Sequence, residues 1–211
     1  MKILFFTDVH SSSDKEDSFR YYVASLDGLM KKFSKILEKS KECDVLVCCG
    51  DLSVFSSGLE NSMMMLKKAK KKVLIIHGNH EDQEDVERLC DGKNLIFMHK
   101  KVLTIDDVTF AGYGGDGFSE RDLGLEKWAK DAKNKINGKF VFFTHAPPYN
   151  TKLDNLPGWG HRGSKSVRDS IEILQPDLFA SGHFHETFLK QDKIKKTKLI
   201  NPGDEGIIVE I

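Results

Sequence analysis

No stretch of this 211-residue chain is apolar for long enough to cross a bilayer, and the four-residue run before Asp8 is too short for the core of a secretory signal. An excess of either charge is missing too: 32 basic and 32 acidic residues cancel, which removes any general attraction to nucleic acid or to an anionic membrane. The four cysteines, Cys43, Cys48, Cys49 and Cys90, lack the paired spacing of a zinc site. Three of them fall in or beside an apolar run, so they read as reduced core residues. Repeats and low-complexity segments are absent. What remains is a cytoplasmic enzyme or binding protein, a single domain over residues 1–211, with no membrane partner and no strong nucleic-acid signal. Nothing in the sequence opposes a homo-oligomer.

What the chain does have is one pattern used five times. Ile3-Leu4-Phe5-Phe6 runs into Thr7-Asp8-Val9-His10, and Val45-Leu46-Val47-Cys48-Cys49 into Gly50-Asp51. Val73-Leu74-Ile75-Ile76-His77 runs into Gly78-Asn79-His80-Glu81, Phe140-Val141-Phe142-Phe143 into Thr144-His145, and Leu178-Phe179-Ala180 into Ser181-Gly182-His183-Phe184-His185. Short, β-branched or aromatic apolar runs stopped by glycine or a polar residue read as buried strands. In open α/β sheets the ligand crevice lies beyond the carboxyl ends of the strands, so five ends carrying Asp, Asn or His can converge on one place.

Helical spacing fills the intervals. Phe19, Tyr22, Val23, Leu26, Leu29, Met30, Phe33, Ile36 and Leu37 recur at three and four, after a polar loop over Ser11–Asp17. Leu59, Met63 and Leu66 predict a second helix, with Met63-Met64-Met65 as core packing and the lysines from Lys67 to Lys72 as a solvated face. Val86 and Leu89 predict a short third, ended by Gly92. Leu95–Met98, Val102–Ile105 and Val108–Ala111 read as an antiparallel meander. Ser119 opens a cap for a helix through Leu125, Trp128, Ala129, Ala132 and Ile136, and Ser164 or Ser166 caps another, through Leu174, stopped by Pro176. Tyr149–Arg162 has little periodicity and reads as a substrate-side loop, whereas Thr187–Leu189, Lys198–Ile200 and Ile207–Ile211 read as further strands. The order of elements predicts two packed mixed sheets flanked by helices, a four-layer α/β/β/α sandwich.

Collected, the strand-end groups are Asp8, His10, Asp51, Asn79, His80, His145, His183 and His185. Carboxylates, imidazoles and an amide without thiolate form a borderline-hard set suited to catalytic manganese, iron, zinc, nickel or cobalt. Asp8-x-His10 and His183-x-His185 each place two side chains on one side of an extended chain, so each pair can hold one ion. His77 and His99 read as ordinary histidines. His161-Arg162-Gly163-Ser164 fits either a phosphate contact or a plain loop and cap.

In order, Asp8-x-His10, Gly50-Asp51, Gly78-Asn79-His80-Glu81, His145 and Gly182-His183-x-His185 resemble the five blocks of the calcineurin-like metallophosphoesterase superfamily, spanning nearly the whole chain. The resemblance implies two divalent ions, manganese first, with iron, nickel, zinc, cobalt or magnesium as alternatives. Asp8, His10 and His185 would hold one, Asn79, His145 and His183 the other, and Asp51 both. It implies a metal-bridging hydroxide as nucleophile and His80 as general acid, with Glu81 among the acidic residues that could orient the His80 ring. His145-x-Pro-Pro and Gly182-His183-x-His185-Glu186 resemble the smaller, cap-less, phosphodiesterase-like members, so a phosphodiesterase acting on a small phosphate ester is the expected function. A phosphomonoesterase, a small-oligonucleotide nuclease and a non-catalytic scaffold of the same fold are the rivals. Gly50-Asp51-Leu52-Ser53 departs from the Asp-Arg-Gly continuation of the serine/threonine protein phosphatases.

Overall fold

The computed structural model describes residues 1–11, 26–115 and 117–211. In chain order its elements are β1 (Lys2–Phe6), α1 (Leu26–Ser40), β2 (Val45–Cys48), α2 (Leu59–Lys67), β3 (Lys72–Ile75), α3 (Gln83–Leu89), β4 (Leu95–Phe97), β5 (Lys101–Ile105), β6 (Val108–Tyr113), α4 (Leu123–Ala132), β7 (Lys139–Thr144), β8 (Asn155–Leu156), β9 (Gly160–His161), α5 (Lys165–Leu174), β10 (Leu178–Ala180), β11 (Gln191–Ile194), β12 (Thr197–Ile200) and β13 (Ile207–Glu210). Among the described residues, a five-stranded sheet has the order β13-β1-β2-β3-β4 and a six-stranded sheet the order β11-β12-β10-β7-β6-β5. Both are mixed: parallel pairs form each centre, while β13, β11 and β5 add antiparallel edges.

Strand β1 explains why these runs are apolar throughout. Leu4 and Phe6 face the helices while Ile3 and Phe5 face the other sheet, and all four are fully buried. Three apolar layers follow. Phe33, Ile36, Leu59, Met63, Leu66 and Val86 cover the outer face of the five-stranded sheet. Ile3, Phe5, Val47, Leu74 and Ile76 meet Val108, Phe110, Val141, Phe143 and Ile200 between the sheets. Leu125, Ala129, Val167 and Ile171 cover Phe140, Phe142, Phe179 and Leu199 on the far side. The expected four-layer sandwich is therefore the observed one.

Several local expectations change. The meander dissolves, because β4 runs parallel to β3 in the first sheet and, of its three strands, β5 and β6 alone pair as a hairpin, in the second. Asp122 rather than Ser119 caps α4, its carboxylate accepting from Leu125 N at 3.0 Å, and the helix ends at Ala132, short of Ile136. Thr187–Leu189 is no strand: His185–Thr187 makes a 3-10 turn, with Thr187 Oγ1 donating to Leu153 O and Phe184 O. Of the methionine triplet, Met63 is core and Met64 is exposed. Ser164 is the cap of α5, and that helix closes on Gln175 in the left-handed region before Pro176. The first helix is described from Leu26 onward; Phe19, Tyr22 and Val23, like the loop positions 12–17, lie outside the described residues.

Candidate metal centre

All eight predicted residues come together where the strand ends of both sheets meet. The loop after β1 is laced to the loop after β2 by Asp8 N to Gly50 O, His10 N to Asp51 O and Ser11 N to Leu52 O, at 3.0–3.1 Å. Asp8, His10, Asp51 and His183 all have φ between 51° and 73°, a region that costs non-glycine residues of order 1–3 kcal/mol and clusters at functional sites. The extended geometry expected of Asp8-x-His10 and His183-x-His185 is thus absent. Asp8 and His10 still converge, but His183 and His185 turn into different groups.

Close approach explains two glycines. A Cβ on Gly78 would lie 2.1 Å from Asp51 Oδ1, and one on Gly182 would lie 1.9 Å from Thr7 Oγ1 and 2.3 Å from Asp8 Oδ2. Gly182→Ala is accordingly expected to cost roughly 1–3 kcal/mol through overpacking, read as a lower urea midpoint at unchanged slope. An unmoved midpoint would show that the two strand ends have room to spare.

The first group holds Asp8 Oδ1, His10 Nε2 and His185 Nε2, with the two ring nitrogens 3.0 Å apart and each 3.6 Å from the carboxylate oxygen. The second holds His145 Nε2 and His183 Nδ1, each 2.9 Å from Asn79 Oδ1 and 3.3 Å from one another. Asp51 Oδ2 lies 3.2 Å from His145 Nε2 and 3.9 Å from His10 Nε2, so one oxygen borders both groups.

The donor chemistry fits cations at these points. His145 Nδ1 faces the Cys49 carbonyl at 2.9 Å, which places a proton on Nδ1 and leaves a lone pair on Nε2 of the neutral ring. That lone pair points at Asn79 Oδ1 and Asp51 Oδ2, both acceptors. Acceptors facing acceptors need a positive charge between them. Without an ion a proton takes that place: burial opposes charge on His145, but the Asp51 carboxylate outweighs it and pushes the imidazole up to about 10. Burial likewise opposes ionised Asp8, and His10 and His185 nevertheless hold it well below the carboxylate range. His183 Nε2 is buried with no partner among the described residues.

His80 stands beside the first group, its ring edge-on to His10 at 4.8 Å and against Phe55 at 5.0 Å. Its backbone N donates to Asp51 Oδ1 at 2.9 Å. Glu81 does not orient the His80 ring. Its buried carboxylate accepts from Asp51 N, Ser53 N and Gly78 N at 2.7–3.1 Å, so it ties the β2 and β3 loops together by their backbones. Burial, then the nearby Asp51 charge, pushes Glu81 up to about 8. Sequence reasoning also missed two groups that set this geometry, the Cys49 carbonyl behind His145 and the Thr7 hydroxyl that donates to Asp8 Oδ2 at 2.7 Å.

Comparison with protein-family models matches residues 1–187 to the family described as Calcineurin-like phosphoesterase. The chain belongs to the calcineurin-like phosphoesterase family. An uncharacterized protein of Methanocaldococcus jannaschii is 33% identical over 177 residues, covering 79% of this chain and 80% of the relative. A probable cyclic nucleotide phosphodiesterase of Fibrobacter succinogenes is 30% identical over 117 residues, which is 53% of this chain and 44% of that protein. Among solved structures, a dimetal phosphatase from Danio rerio superposes with a TM-score of 0.66 at 14% identity, over 95% of this chain and 86% of that one, a likeness of fold. Among the described residues three sets of side chains lie close enough to hold a metal ion: Asp8, His10 and His185; His10, Asp51 and His80; and Asp8, Asp51 and His145. Membership of this family supports a hydrolase acting on phosphate esters.

In this family member the loop over 149–162 is built around a buried carboxylate. Asp154 accepts from Asn150 N, Thr151 N and Gly163 N, and His161 Nδ1 sits 2.8 Å from it. His161 is therefore held as a loop brace, and Arg162 stacks on the exposed Trp159 ring at 5.8 Å. Among the described residues no helix is long and apolar enough to cross a membrane.

Proposed function

We propose that the protein is a dinuclear metal-dependent phosphodiesterase in which Asp8, His10 and His185 hold one divalent ion, Asn79, His145 and His183 hold the other, and Asp51 borders both. The observation that carries this reading is the convergence of Asn79 Oδ1, His145 Nε2 and Asp51 Oδ2 on one point, a place for positive charge that a divalent ion can take from the proton that otherwise holds it. When bound, two divalent ions supply an acidified water as nucleophile and positive charge opposite the phosphoryl oxygens. Manganese leads the candidates for this oxygen and nitrogen set, with iron, nickel, zinc, cobalt and magnesium behind it.

The chain's own contribution is placement. The laced β1 and β2 loops fix the carboxylates before any ligand arrives, and the Cys49 carbonyl fixes the tautomer of His145. His80 stands outside both ligand groups and donates a proton to the departing oxygen. Burial lowers its imidazole from the usual range, with Asp51 pulling the other way, and a phosphate anion beside it adds to the upward pull. The Fibrobacter relative supports diester over monoester chemistry. The buried, unpaired Cys43, Cys48 and Cys49 suit a reducing compartment, in keeping with the cytoplasm, and a small phosphate ester is the proposed partner.

The test is initial hydrolysis rates for metal-stripped protein with Mn²⁺, Ni²⁺ or Mg²⁺ restored, on bis-p-nitrophenyl phosphate beside p-nitrophenyl phosphate. Metal-dependent turnover that favours the diester is expected. Preference for the monoester would make the protein a phosphatase, and no turnover of either ester in protein that binds two ions would overturn the hydrolase reading.

A further inference from the structure

Among the described residues no polar group aims the His80 ring. Its Nδ1 is buried without a hydrogen-bond partner there, and the neighbouring Glu81 carboxylate is occupied by the backbone N–H groups of Asp51, Ser53 and Gly78. An imidazole is ordinarily oriented through a hydrogen bond at its second nitrogen. Two rings stand in that place here: His10, edge-on at 4.8 Å, and Phe55, tilted by 44° at 5.0 Å.

Phe55 reaches His80 from an unfavourable turn. Val54 and Ser57 form an antiparallel bridge, Ser57 N donates to Val54 O at 2.8 Å, and the two residues between them, Phe55 and Ser56, have φ of 47° and 58°. Two positive φ values at the centre of a two-residue turn make the type I′ pattern, which favours Asn-Gly and strains a bulky side chain. The turn is fixed from both sides. Val54 is fully buried and its N donates to Ser11 O at 2.8 Å, while Ser56 N donates to His80 O at 3.0 Å and docks the turn on the His80 backbone. Burial does not explain the phenyl ring either, because Phe55 remains 61% exposed. Neither turn propensity nor core packing accounts for a phenylalanine at this position; contact with the His80 ring does.

We infer that Phe55 is a positioning residue that holds the His80 imidazole by packing, an inference that rests on His80 as the proton donor of the proposed phosphodiesterase. Phe55 and His10 restrict rotation of the imidazole, and with Nδ1 buried it is Nε2 that faces the departing oxygen. No bond is made or broken at Phe55. Its removal lets the imidazole turn, and a misplaced donor slows the reaction through protonation of the leaving group alone.

The experiment replaces Phe55 by asparagine, which suits a positive φ and so removes the ring while sparing the turn. Phe55→Asn is expected to keep its urea midpoint and its bound ions. With Mn²⁺ restored, its turnover of diphenyl phosphate is expected to fall roughly 10- to 100-fold. Turnover of bis-p-nitrophenyl phosphate, whose leaving group needs less help from a proton, should fall less. Phe55→Tyr should retain most of the rate. In a His80→Ala background, Phe55→Asn is expected to change turnover by less than about 2-fold, since the group it acts through is gone. A second readout needs neither ions nor turnover: in metal-stripped protein, the NMR cross-peak between the His80 and His10 ring protons should weaken in Phe55→Asn and persist in Phe55→Tyr. Should Phe55→Asn fail to fold, Phe55→Ala takes its place. The inference is overturned if the cross-peak persists in the variant, if an active enzyme loses no rate, or if the loss is as large without His80 as with it. Should the wild type hydrolyse neither ester, the phosphodiesterase reading fails by itself, and the cross-peak decides whether Phe55 holds the ring.

Discussion

Asp51→Asn is expected to lower metal-dependent turnover by roughly 10³-fold or more, the several kcal/mol that a pair of ions contributes in the transition state. The substitution is conservative where the fold needs the residue. An asparagine oxygen can still accept from His80 N, as Asp51 Oδ1 does at 2.9 Å. It is disruptive at the other atom, where Oδ2 borders both His145 and His10 and would become an amide donor. Such a donor hydrogen-bonds the ring lone pairs that are proposed to face the ions. Calorimetry on the metal-stripped variant is expected to find fewer than two ions per chain, and initial rates at saturating Mn²⁺ give the loss. Full activity in folded Asp51→Asn would falsify the assignment of Asp51 to both ions.

For His80→Ala the prediction separates binding from chemistry. Two ions should be retained, because the His80 ring belongs to neither proposed ligand set and alanine keeps the backbone N that serves Asp51 and the carbonyl that accepts from Ser56 N. The rate is expected to fall by about 10²–10⁴, the usual worth of a positioned general acid. The size of the loss must depend on the leaving group. An alkyl ester, whose oxygen needs a proton as it departs, suffers the full loss, whereas p-nitrophenolate departs readily unprotonated and suffers less. An equal loss on both esters, with both ions in place, would mean that His80 acts by position or charge and gives up no proton.

The strand ends were legible because a strand covered on both faces has to be apolar at every position, so the polar residue that stops it stands out. Asp8, Asp51, Asn79, His145 and His183 all follow such runs. The pairing partner of a strand is not written in this way. Leu95–Phe97 resembles the strands after it, yet it lies parallel to β3 because α3 carries the chain back across the sheet. Groups that act through the backbone leave no trace either: the Cys49 carbonyl that orients His145 would serve equally from another residue. Glu81 was visible as a carboxylate beside His80, but its three N–H partners come from loops that meet only in the folded chain. Thr187–Leu189 carries the β-branched and apolar residues of a short strand and is diverted into a turn by hydrogen bonds of Thr187 to Leu153, Phe184 and Asn201.

The centre is divided between the sheets: Asp8, His10, Asp51 and Asn79 follow strands of the five-stranded sheet, and His145, His183 and His185 follow strands of the six-stranded one. Neither half presents a full set alone. Ions held as proposed would therefore be recruited late in folding, after the halves have docked, and would act as reversible cross-links across the seam in a chain whose described cysteines are all free. Metal affinity and the docking equilibrium are then one linked quantity, so a substitution that loosens the seam far from the centre also weakens its hold on metal.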